Sequence, residues 1–229
     1  MILNTPARAQ KIAFGIQGGM SILSLTNGGA LLNRFTSPYS LNTEPEAGIF
    51  AELKYSNAFS LQPEIEYSSL GSKNGAFTNG IIAPGSAGAL QNANNNRADL
   101  NYLLIPVLSK FGWNFNEAPL RFFVAGGPFA GLLMSAKQTV YDNTLNSGDV
   151  ADVKPILHNF NAGIEGKMGL IFVTGKGNFF IEGGADLGLL KIQKATAING
   201  NYSGAVSIAV GYSFWLGADF RTTNNPMQL

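Results

Sequence analysis

Residues 59–71 read FSLQPEIEYSSLG. Phe59, Leu61, Pro63, Ile65 and Tyr67 fall on one side of an extended chain, and Gln62, Glu64, Glu66 and Ser68 fall on the other. A period of two is that of a β-strand, whose successive side chains point to opposite faces. In a soluble sandwich the oily face would meet a second sheet. Here nearly every other strand candidate repeats the asymmetry, with charges gathered on one face, which predicts a closed barrel with lipid against its apolar side.

Working outward, Ala47–Ser56 alternates Ile49, Leu53 and Tyr55 with Glu52 and Lys54, and only Ser56-Asn57-Ala58 separates it from the first stretch, so the two form a tight antiparallel hairpin. Lys11–Leu25 alternates bulky Ile12, Phe14, Ile16, Met20 and Ile22 with small or polar residues. Leu100–Trp113 is a strand with blurred alternation, because Leu103, Leu104, Ile105, Val107 and Leu108 populate both faces. Leu120–Ala136 follows, with Gly126-Gly127-Pro128 expected to bend or bulge it. Ile156–Thr174, Asn178–Gln193 and Tyr202–Leu216 complete a set of eight.

The connections alternate long and short. Thr26–Glu46, Ser72–Asp99, Lys137–Pro155 and Lys194–Asn201 are polar and rich in turn residues, whereas Asn114–Pro119 and Gly175–Asn178 are short. Eight antiparallel strands with this loop asymmetry describe an up-and-down outer-membrane barrel, long loops outside and short turns in the periplasm. The last strand pairs with the first, since lipid tolerates no open edge. Tyr55, Tyr67, Trp113, Tyr212, Phe214 and Trp215 near strand ends are candidates for aromatic girdles.

Composition agrees. Only 13% of the 229 residues are charged, against about 25% in ordinary soluble domains. There are 28 Gly and 16 Phe, and no cysteine for disulfides, thiolate metal sites or thiol nucleophiles. A net charge of +1 without a basic run argues against nucleic acid. No stretch has the 18 or so apolar residues of a membrane helix. The first ten residues lack the basic and apolar regions of a secretory signal, yet Ala7-Arg8-Ala9 is spaced like a cleavage site. The expectation is an export signal upstream, with 1–10 its remnant, 11–216 the barrel and 217–229 a tail.

Three motifs recur in order: Leu61-Gln62-Pro63-Glu64-Ile65-Glu66-Tyr67-Ser68 followed by Gly71, then Asn101-Tyr102-Leu103-Leu104-Ile105-Pro106, then Ala125-Gly126-Gly127-Pro128-Phe129-Ala130-Gly131. Their order and spacing resemble the PorT-like outer-membrane β-barrel family of Bacteroidetes, with Leu104 standing where that family often carries a charge. The resemblance implies an outer-membrane location in a Gram-negative bacterium and, for some relatives, links to secretion and gliding machinery. It implies no catalytic residues.

With the oily faces outward, Glu52, Lys54, Glu64, Glu66, Lys110, Glu165, Lys167, Glu182 and Asp186 point into the barrel. Eight strands enclose a space that side chains can fill, so these groups are expected to form a plug of ion pairs and hydrogen bonds. An ion or proton path is the sharper reading, since acids outnumber bases six to three in the set. A soluble lipocalin-like barrel, oily face inward around an apolar ligand, is a further alternative. Catalysis lacks a constellation: Glu64 and Glu66 share a face only because they are two apart, and His158 is the lone histidine. Asp142, Asp149 and Asp152 lack calcium-loop spacing, and Gly126–Gly131 fits no phosphate-binding motif, so no metal or cofactor is expected. The expected role is structural or interactive, with lipid around the barrel and a protein partner at the external loops.

Overall fold

The computed structural model describes residues 11–23, 26–27, 42–73, 96–115, 118–141, 148–174, 177–192, 194 and 201–216. Eight long strands form the wall: β1 (Lys11–Leu23), β3 (Asn42–Lys54), β4 (Phe59–Lys73), β5 (Asn96–Asn114), β6 (Leu120–Tyr141), β8 (Phe160–Val173), β9 (Asn178–Gly188) and β11 (Gly204–Leu216). Each pairs antiparallel with its neighbour, in the order β5-β4-β3-β1-β11-β9-β8-β6, and the β5–β6 pairing closes the ring. The first strand meets the last, Ile12 opposite Leu216 and Leu23 opposite Ala205. Three short strands lie at the loop end: β7 (Gly148–Asp152) extends the ladder of β6, and β2 (Thr26–Asn27) pairs with β10 (Asn201–Tyr202).

The two faces divide as the alternation predicts. Outward positions are apolar and open, Ile16 at 61% and Met168 at 59% exposure among them, while Glu64 on the inner face is only 2% exposed. This orientation overturns the lipocalin-like alternative, which needs the oily face inside. Near the short turns the outer surface carries aromatic pairs: Tyr55–Phe59 at 5.8 Å, Phe59–Phe111 at 5.1 Å, Trp113–Phe122 at 6.0 Å and Phe179–Tyr212 at 4.8 Å. Trp215 departs from the expected girdle. It lies opposite Ala13 on the inner face, with Lys54 Nζ 5.6 Å from its ring.

Several loop boundaries move. Glu44-Pro45, read as turn chemistry, belongs to β3, with Pro45 opposite Met20. Ser72 and Lys73 extend β4, residues 96–99 begin β5, and Lys137–Tyr141 extend β6 along β7. Propensity misleads here because a neighbouring ladder supplies backbone partners that override local turn preference. The remaining parts of the expected long loops, 28–41, 74–95, 142–147 and 195–200, lie outside the described residues, as do 1–10 and 217–229.

Gly126-Gly127-Pro128 stays in register with β8, and the pairing on its β5 side skips Val107 and Leu108 without shifting. Pro63 and Pro106 mark similar skips in the β3–β4 and β4–β5 ladders. Proline has no N–H to donate, so each interrupts one ladder and leaves the strand continuous. The register shift in β6 is elsewhere: Asn101 faces Ser135 and Tyr102 faces Leu133, which leaves Met134 as the extra residue.

The lumen is filled in three zones. Toward the short turns lie Phe50, Leu108, Phe123, Ala125, Ile171 and Phe180, with the Phe50 and Phe180 rings edge to face at 5.6 Å. These rings come from strands separated by two others in the wall, so they meet across the lumen. Gly15 and Gly211 leave room for them, since a Cβ at either would come within 2.2 Å of a ring carbon. At the loop end Leu100, Tyr102, Leu104, Phe129 and Leu133 are buried under Val153, Leu157 and Ile192. Val153 and Leu157 flank a 3-10 turn (Lys154–Ile156) that straddles the boundary expected between the Lys137–Pro155 loop and the Ile156–Thr174 strand, and the strand itself starts at Phe160. This inner apolar packing explains the blurred alternation of β5 and the leucine at 104. Between the two apolar zones lie the charges.

Candidate functional site in the barrel lumen

The charged zone is organised by β4, whose inner positions Ser60, Gln62, Glu64 and Glu66 form a ladder up the lumen. Ser60 Oγ donates to Glu52 Oε1 at 2.8 Å, and Lys110 Nζ donates to Glu52 Oε2 at 3.2 Å and to Gln62 Oε1 at 2.7 Å. Gln62 Nε2 donates to Glu64 Oε1 at 2.8 Å. Glu64 Oε2 in turn accepts from Lys167 Nζ at 2.7 Å and from Gln17 Nε2 at 3.2 Å. The chain of bonds therefore runs unbroken from Ser60 to Lys167. It ties together β1, β3, β4, β5 and β8.

Lys167 is the hub. Besides Glu64, its ammonium contacts Glu66, Glu165 Oε1 at 2.9 Å and Glu182 Oε1 at 3.6 Å. It is 7% exposed, and Glu64, Glu165 and Glu182 around it are similarly enclosed, with Glu66 somewhat more open. Burying ions is costly unless they are paired and hydrogen-bonded, which is why the acids converge on the cation from separate strands. Lys110 adds a second kind of partner, lying 4.4 Å from the centre of the Phe123 ring and 5.9 Å from that of Phe50. A cation over an aromatic face is attracted by the ring quadrupole, so Lys110 joins the charged zone to the apolar zone below.

Of the nine residues singled out in the sequence, Glu52, Glu64, Glu66, Lys110, Glu165, Lys167 and Glu182 are joined by these contacts. Asp186 stands just beyond them: it lines a small cavity with Glu46, Glu66, Glu165 and Lys167, and its Oδ2 is shut off from solvent without a hydrogen-bond partner. Lys54 is at the turn end over Trp215, away from the hub. The sequence reading places Gln62 on the inner face beside Glu64 without assigning it to the network, and it leaves out Gln17, Ser60 and Glu46. All four share the inner parity of their strands, and that parity is the available signal; the three polar residues carry no charge, and Glu46 reads as loop.

The arrangement has little room for acid–base chemistry. Glu64 and Glu66 both face Lys167, and His158 is exposed beside the 3-10 turn, its backbone N–H donating to Ile192 O at 2.8 Å. Carboxylate oxygens of Glu64, Glu66 and Glu165 lie within 4.8 Å of one another, a spacing that would suit a metal, but the Lys167 ammonium contacts all three. Asp149 and Asp152 belong to β7, where Asp152 Oδ1 accepts from the Lys154 N–H at 2.9 Å; Asp142 lies outside the described residues.

The family model for an outer membrane protein beta-barrel domain matches residues 8–194. No curated protein matches the sequence. Among solved structures, the fold is similar to Neisserial surface protein A (NspA), at 13% identity and a TM-score of 0.44, covering 87% of this chain and 97% of that one. It is similar to Ail, the attachment invasion locus protein of Yersinia pestis, at 12% identity and a TM-score of 0.40, covering 88% and 98%. It is also similar to the outer membrane protein AlkL in lipid bilayers, at 14% identity and a TM-score of 0.40, covering 95% and 98%.

Proposed function

This chain belongs to the family of outer membrane protein β-barrel domains, and from that premise we propose that it is a scaffold of the PorT-like type found in Bacteroidetes, docking a protein partner at its loop end with no bond chemistry of its own. The barrel lies in the outer membrane with lipid against its apolar face. The observation that carries the reading is the filled lumen: Phe50 and Phe180 touch across it at 5.6 Å, and above them the charges are spent on one another. A barrel filled in this way is read as acting by its outer surfaces. The lipid-facing wall is apolar, which leaves the loop end, where β5 and β6 run 19 and 22 residues. About 9 to 11 suffice to cross, so these strands project beyond the membrane at the loop end, on the side of the Ser72–Asp99 and Lys137–Pro155 regions. The PorT-like motifs occupy β4, β5 and β6, the same part of the wall, which supports an accessory role in a secretion or surface assembly.

The chain has no cysteine, so a single introduced thiol reports one position. Val150→Cys, 63% exposed on β7, should crosslink to a discrete protein partner in the producing cells, while Met168→Cys on the lipid face should not. Deleting 74–95 should abolish the adduct and leave the heat-modifiable barrel intact. Planar bilayers containing the wild type should show the conductance of bare lipid. Single-channel steps would replace the scaffold with a narrow ion channel, and equal crosslinking from both positions would remove the loop-end interface.

A further inference from the structure

Where the wall ends on the loop side, lysines stand beside apolar side chains that face lipid. Val153 and Leu157 are buried on either side of the 3-10 turn, and the turn brings Lys154 to the outer surface. There Lys154 Nζ donates to the carbonyl of Met134, the extra residue of β6, at 2.9 Å. The segment after β9 is built the same way: Ile192 is buried, while Lys191 and Lys194 around it are exposed. Backbone bonds tie the two segments together, His158 N–H to Ile192 O at 2.8 Å and Lys194 N–H to Ile156 O at 3.1 Å. Lys194 Nζ also donates to Pro155 O at 2.9 Å, one residue from Lys154. Three lysines are thereby gathered on one rim by the buried anchors of their own segments.

The wall next to this rim is oily. Met134 is 54% exposed, Phe160 51% and Leu189 55%, and the Leu189 N–H donates to Ala162 O at 2.8 Å, which sets it against β8. Asp152 offers little to offset the lysines: it lies opposite Lys137 in the β6–β7 ladder, and its Oδ1 accepts from the Lys154 backbone N–H. Among the described residues no carboxylate pairs with Lys154, Lys191 or Lys194. An ammonium has three donors, and the carbonyls of Met134 and Pro155 take one each, so donors remain for an anion. Lysines at a bilayer surface are drawn to anionic headgroups, and their stems lie along apolar surface while the ammonium stays in the polar layer. A soluble acidic partner would satisfy the lysines and leave Met134, Phe160 and Leu189 unexplained; a lipid covers both. We propose that the rim of Lys154, Lys191 and Lys194 binds the phosphate headgroup of an outer-leaflet lipid, whose acyl chains lie along the β6–β8–β9 face. The contacts are charge-assisted hydrogen bonds to phosphate oxygens. This inference rests on the membrane location and is independent of the scaffold reading, since it requires no protein partner.

The test is native mass spectrometry of the full chain, folded in detergent and titrated with diphosphoryl lipid A or with the same lipid stripped of its phosphates. Retention of the phosphorylated lipid is expected, weakening about fivefold for each lysine lost in the double variant Lys154→Gln, Lys194→Gln. The pair Lys154→Arg, Lys194→Arg should retain it, as should Lys54→Gln at the turn end. Should the double glutamine variant fail to fold, the exposed Lys191→Gln alone should weaken retention about fivefold. Equal retention of both lipids would overturn the proposal and leave only acyl-chain contact. Retention unchanged in every rim variant would overturn it by placing the phosphate elsewhere. Displacement of the lipid by millimolar inorganic phosphate would also overturn it, assigning the rim to a free anion.

Discussion

The middle of the lumen and its turn end fill the same narrow tube by different means. In the middle, acids from β4, β8 and β9 are drawn to one ammonium, and the unit of construction is the ion pair. At the turn end, two phenylalanines cross the lumen and two glycines opposite them leave space, so the unit is steric fit. The charged zone is sensitive to removing one partner, because what remains is a set of buried charges without compensation. The apolar zone is sensitive to volume in either direction. Lys110, bonded to Glu52 and lying over Phe123, belongs to both.

The largest expected effect tests the hub. Lys167→Met leaves Glu64, Glu66, Glu165 and Glu182 facing one another and should cost about 3–5 kcal/mol, read as a lower urea midpoint for unfolding from lipid vesicles followed by tryptophan fluorescence. An unchanged midpoint would mean that the carboxylates do not depend on Lys167. Phe180→Ala opens a cavity in the turn-end zone and should cost about 3–4 kcal/mol by the same measurement. The variant should still conduct no current, because the charged zone above it stays closed; a current would assign the seal to the aromatic pair. Gly15→Val drives a side chain into the Phe50 ring and should cost about 1–3 kcal/mol, with recovery in the double variant Gly15→Val, Phe50→Leu. Without that recovery, the glycine serves the backbone and not the ring. Smallest is Ser60→Ala, which removes one hydrogen bond to Glu52 for about 1–2 kcal/mol; a loss as large as that of Lys167→Met would make the lower end of the network the true anchor.

How far the sequence could be read differs between these zones. The alternation in β4 placed Glu64 and Glu66 on the inner face directly, because the strand period is two and the outer face is uniformly apolar. In β5 the same method faltered. Leu104 and Leu108 are as apolar as the lipid-facing Leu103 and Val107, and only their packing against Phe129 and Phe123 separates inside from outside. Glu46 was read as loop because Glu44-Pro45 looked like a turn, and pairing with β1 made it strand. Asp186 and Glu182 share a face in sequence, yet one reaches Lys167 and the other borders the cavity beside it.

The strand count, the closed antiparallel barrel and the division into lipid and lumen faces were determined by the sequence alone, since each follows from short-range periodicity and the lengths of the connections. Which acid meets which cation was decided by the tertiary structure. Lys167 and Glu64 are 103 residues apart, and their meeting depends on ring closure and on the register of every ladder between them. So does the opposition of Phe50 and Phe180 across the lumen, and so does the cavity beside Lys167. These are properties of a closed wall, and no local stretch of the chain encodes them.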